Sequence, residues 1–189
     1  TAQVNVLSSS SVGAMSATQV SALNTSQVQA LTTSNVQSLN TSQVQALSTD
    51  QVTAFNTAQV SALTTTEAAT LSAAQTKVLS TAQVQVLNTA NIKALKLASV
   101  EAMTSTQLQV LTTTQLNTLE VEDFANLNDA QITGLTTAQV NALTTTAVNA
   151  LSANQVSKFT TAQVAVVTAA NVTALSADQV AALTTTQVG

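Results

Sequence analysis

A large apolar residue returns every eight positions from Leu7 to Leu183, through Met15, Leu23, Leu31, Leu39, Leu47 and Phe55 onward, with no insertion or deletion. The 189-residue chain is therefore 23 octads with partial octads at its ends, one continuous array over 1–189 with no separate domain. The consensus is L-[TSN]-T-A-Q-V-x-A, as in Leu135-Thr136-Thr137-Ala138-Gln139-Val140-Asn141-Ala142. Any fold must repeat on this period, because self-similarity at a fixed spacing is the mark of a solenoid.

A continuous helix does not satisfy it. At about 100° per residue, position six sits at about 140° and the next Leu at about 80°, so the apolar row spirals and forms no stripe. Nor is eight a coiled-coil period. Each octad must contain a break.

Capping chemistry locates that break. Position two is Ser, Thr or Asn in all but two octads, the exceptions being Lys96 and Glu120. These are the side chains that accept from the free N–H groups of a first helical turn. Position five then falls at N3, where a capping box wants Gln or Glu. It is Gln in fifteen octads and Glu67 in another. Thr136 with Gln139, Asn40 with Gln43, and the cap Thr32 are examples. Positions one and six, such as Leu135 and Val140, become the partners of a hydrophobic staple.

Each octad thus reads as one helix of about five or six residues, too short to survive unless stacked on others. Leu135, Val140, Leu143 and Phe124 are expected in the core. Positions one, six and eight should face inward, and positions three and seven outward. The fold class is all-α, a solenoid with one very short helix per octad. A β-solenoid is the runner-up, disfavoured by abundant Ala and Gln and by only three glycines to make corners.

The few charges bear on the number of octads per turn. Lys77 and Glu101, like Lys96 and Glu120, stand three octads apart at one octad position, whereas two octads would set Lys77 over Lys93. Three helices per turn are therefore expected, two being the alternative. At ~8–10 Å between packed layers the array would be roughly 70–80 Å long.

Composition limits the chemistry. Cys, His, Pro, Trp, Tyr and Arg are absent, and charged residues are 6% of the chain. No thiol or imidazole is present for catalysis or for zinc, haem or iron–sulfur ligation. A net charge of −4 without Arg leaves no footprint for nucleic acid. At 45% hydrophobic residues and positive mean hydropathy, the chain has the apolar content that disordered segments lack. Yet no apolar run nears the ~20 residues of a membrane span.

The local exceptions are few. Glu120, Glu122 and Asp123 supply oxygens of the kind hard cations take, but at N-cap, N2 and N3 of one octad they equally complement a helix dipole, and no D-x-D-x-D-G loop is present. No metal and no cofactor is expected. Asn24, Asn40 and Asn171 open glycosylation-type triplets, though Asn24 and Asn40 are also N-caps. Phe55 and Phe159 take position one. Gly134, at position eight, points to close backbone packing. Lys158 has no acid paired with it in sequence, and the many hydroxyls have no base to activate them. An enzyme is not expected.

Leu135 to Val140 is similar to the opening of a TAL-effector repeat, but the length, base-reading loop and basic superhelix of those repeats are missing. The whole chain resembles the Thr/Ala/Gln/Val-rich octapeptide arrays of large secreted bacterial proteins of the surface-layer, adhesin or matrix-fibre kind. That resemblance implies a structural, secreted or cell-surface protein and brings no functional residue with it. A chain opening at Thr1, with both ends inside a repeat, reads as a piece of something longer whose ends can stack on copies of itself. The alternative partners are ice or a polysaccharide, met by rows of Thr, Asn and Gln, and protein ligands of a scaffold solenoid.

Overall fold

A computed structural model describes residues 4–189. After a short 3-10 turn at Val4–Val6 come 23 α-helices of four to six residues, α1 (Ser9–Gly13) to α23 (Thr185–Val188), one to each octad. Among the described residues there is no strand. The fold is an all-α solenoid.

Its local logic is visible in α17 (Thr137–Asn141). Thr136, extended at φ −70° and ψ 157°, caps the helix by accepting the Gln139 N–H at 3.1 Å. In return the Thr136 N–H donates to Gln139 Oε1 at 2.9 Å. The chain leaves the helix without a left-handed residue. Ala142 is still right-handed, and the Leu143 N–H bonds back to the Val140 carbonyl at 3.2 Å before the next cap begins. No residue among those described has positive φ. Glycine is scarce because no position requires the conformation that favours it.

The contacts gather into two compact units, one ending at Ala102 and one running from Met103 to Gly189. In the first, α5 (Thr41–Ala46) packs on α2 (Ala17–Ser21) and α8 (Thr65–Thr70), while α11 (Thr89–Ala94) packs on α8. Likewise α12 (Leu97–Ala102) packs on α9 (Ala73–Lys77), so the helices bearing Glu101 and Lys77 are layer neighbours. In the second, α16 (Asp129–Gly134) packs on α13 (Ser105–Gln109), and α18 (Thr145–Ala150) on α15 (Val121–Ala125) and α21 (Ala169–Ala174). Within each unit these partners are three helices apart, so three octads make one turn.

The core is the row of staples. Leu135, Val140, Leu143 and Phe124 are all at most 5% exposed, and Phe55 and Phe159 are buried at position one. The expected inward set needs one exchange. Position five is buried, with Gln43 and Gln139 at 0% and 2%, whereas the position-eight residues Ala46, Ala94 and Ala142 are only half-buried. Position eight lies at the rim, over position three of the preceding turn. A Cβ on Gly134 would stand 2.7 Å from the Cβ of Ser105. At Gly134 the approach of the preceding turn leaves no room for a Cβ, whereas Val78, Val86, Val110 and Lys158 occupy the same rim position in other octads.

Candidate functional site

The feature with the most chemistry is the column of polar side chains at position five. In α5, Gln43 Oε1 accepts the Asn40 N–H at 2.7 Å and Asn40 Oδ1 accepts the Gln43 N–H at 3.0 Å, closing the capping box. The amide nitrogen then turns away from its own octad. It donates to the Val12 carbonyl at 2.9 Å and to the Met15 carbonyl at 2.7 Å, both in the preceding turn. Gln51, Gln59, Gln75 and Gln83 repeat the pattern in the first unit, reaching Leu23, Leu31, Leu47 and Phe55. In the second unit Gln139 reaches Leu108 and Leu111, each at 2.8 Å, and Gln155, Gln163 and Gln179 continue the column.

The carbonyls so engaged belong to positions six and one, where the chain leaves one helix and enters the next. Buried backbone acceptors need partners. The position-six carbonyls already accept the N–H of the next position-one residue. The glutamine amides supply the partner of the position-one carbonyls and add a second bond at position six, and so sew each turn to the one before. Shorter side chains keep the donor and lose the acceptor. Asn91 and Asn171 donate to the Leu63 and Leu143 carbonyls at 2.7 and 2.8 Å, and Ser99 to Leu71 at 2.9 Å, with no capping box in their octads. Asn35 manages both, accepting from Thr32 at 3.0 Å and donating to Leu7 at 3.1 Å, while the Thr32 hydroxyl accepts the Asn35 N–H.

Glu120 and Glu122 are exposed, and Asp123 is buried with Oδ2 accepting the Glu120 N–H at 2.8 Å, the N3 role in a capping box. Among the described residues no three acidic, His or Cys side chains are grouped to hold a metal ion. Asn24 and Asn40 are exposed caps, whereas Asn171 is 2% exposed and bonded across the seam, so its triplet offers no accessible amide. Lys158, without an acid in its own octad, meets Asp129 of the preceding turn, Nζ to Oδ2 2.9 Å. Both ends of that pair are substantially exposed, so it is worth little.

In the second unit a partly open apolar pocket of about 200 Å³ is lined by residues such as Val140, Phe159, Val167 and Leu175 together with the exposed Val172 and Val188, with Gln187 its one polar lining residue. Such walls offer nothing to orient or activate a ligand. No described helix is long and apolar enough to cross a membrane.

A family model for the ALTTAQ repeat matches residues 1–33, 33–65 and 116–153, together more than half of the chain. The chain belongs to the ALTTAQ-repeat family. The six letters of that name fall on positions eight, one, two, three, four and five, as in Gly134 to Gln139, where Gly takes the place of the first Ala. The defining stretch of the ALTTAQ repeat thus ends on the residue that joins the turns. No curated protein matches the chain significantly.

The second role of position five was not read from the sequence, although a signal was present. A capping box takes Glu as readily as Gln. Fifteen Gln against one Glu indicates that the position must also donate.

Proposed function

We propose that this ALTTAQ-repeat chain is structural material: the body of an extracellular fibre, sheath or stalk at a secreted or cell-surface location. Its partners are further copies of the array, and it carries out no reaction of its own. One observation supports the reading above the others. The buried amides of position five direct their hydrogen bonds at the chain's own carbonyls and cap N–H groups, so the repeated chemistry serves cohesion between turns. The low charge and lack of Cys and His agree with a role that needs shape and spacing more than reactivity.

Three measurements on the native protein test the proposal: surface labelling of producing cells, sedimentation across a concentration series, and freezing-point hysteresis. Label at the cell exterior, concentration-dependent assemblies and no hysteresis are expected. A signal confined to the cell interior, or a single-chain mass at all concentrations together with hysteresis, would overturn it.

A further inference from the structure

Glu67 is the glutamate of the position-five column. Its octad folds like the others: the Thr64 hydroxyl accepts the Glu67 N–H at 3.2 Å, and Glu67 Oε2 accepts the Thr64 N–H at 2.6 Å. The other oxygen, Oε1, therefore stands where its neighbours carry an amide nitrogen. It is buried and has no hydrogen-bond partner, in a residue only 2% exposed. The column's rule is that this atom donates to the position-one carbonyl 28 residues earlier, as Gln59 does to Leu31 at 2.7 Å and Gln75 to Leu47 at 2.9 Å. For Glu67 that carbonyl is Leu39, at the start of the octad that holds α5, on which α8 packs.

By the geometry of the column, two acceptors then share a buried seam. An ionised carboxylate opposite a carbonyl leaves both unsatisfied, whereas a protonated one has a single O–H to donate to it, in place of the two N–H groups of an amide. We propose that Glu67 is held as the neutral acid, its O–H donating to the Leu39 carbonyl, so that the joint between α5 and α8 opens when the proton is lost to solvent.

The surroundings favour the proton. Neither α5 nor α7 (Thr57–Ser61) carries a titratable group. Lys93 on α11 and Lys77 on α9 lie at exposed position seven. Burial pushes the Glu67 carboxyl above the ordinary carboxylate range, against the hydrogen bonds from Thr64 that pull it down. A bound cation is a poorer fit. The amide-to-carbonyl separations of the column are hydrogen-bond lengths, too short to seat an ion between two oxygens.

A group whose folded-state value is raised stabilises the fold fully below its unfolded value, and that contribution is lost as pH rises through the folded value. The full chain and Glu67→Gln, which installs the consensus residue, are compared by thermal unfolding and amide hydrogen exchange from pH 4 to pH 8. Their midpoints should coincide at pH 4, and the unsubstituted chain should fall on the order of 5 °C below the variant at pH 8. In the same range the Ala68 and Leu71 amides of the unsubstituted chain should lose about tenfold in protection, and those of the variant should not. A gap independent of pH, or no gap, would overturn the proposal. So would recovery of the unsubstituted chain at pH 8 on adding potassium, sodium or calcium chloride without the same effect on the variant, because the seam would then hold a cation.

Discussion

Two consecutive octads of the second unit differ at two positions, Ala138 against Thr146 on the exposed side and Gln139 against Ala147 in the seam. Octads 135–142 and 143–150 share a Thr cap, with Thr136 accepting from Gln139 and Thr144 from Ala147, each at 3.1 Å. They also share a buried staple, Leu135 with Val140 and Leu143 with Val148. Gln139 adds an acceptor for its own cap N–H and two bonds to the preceding turn. Ala147, equally buried, has no amide to offer. Yet α18 forms as α17 does and packs on its layer neighbours. Cap and staple are thus sufficient to make the helix and seat it on its neighbours, and the amide adds hydrogen bonds between one turn and the one before.

The sharpest way to break this division is Gln139→Ala. It leaves the Leu111 carbonyl and the Thr136 N–H without this partner and the Leu108 carbonyl with only the Leu111 N–H, and should cost about 2–3 kcal/mol in urea unfolding, since unsatisfied buried groups weigh more than the net value of a bond. Removing the shared element should affect the two octads alike. Thr136→Ala and Thr144→Ala are each expected to cost about 1 kcal/mol by the same measurement; a large inequality would mean that the caps are not equivalent. The smallest effect is the reverse exchange. Ala147→Gln should gain about 0.5–1 kcal/mol and slow hydrogen exchange in α18. A loss would show that the space beside Ala147 has been filled by other means.

The comparison also explains what could be read from the sequence. Cap, box and staple join residues within one or two turns of helix, so Thr136, Gln139, Leu135 and Val140 could be placed from spacing alone. The number of octads per turn had only sparse charges to mark it, and the packing of α12 on α9 answers to the Lys77 and Glu101 spacing. The seam was hidden because its bonds run 28 and 31 residues back and become visible only once the turn is known. Position eight was misplaced for a related reason. Ala is as suitable for a rim as for a core, and only the half-buried state of Ala46, Ala94 and Ala142 in the coil tells them apart. Asp129 opposite Lys158 is likewise a partner supplied by the coil.

The three-sided turn has a consequence for inheritance. All three sides obey one eight-residue rule, so gaining or losing a whole octad moves every later octad to the next side and asks nothing new of it. A duplication or deletion of eight codons, the error that repetitive genes most readily suffer, yields another well-formed protein of a different reach. The length of such a chain can drift or be selected freely, while its register remains intact.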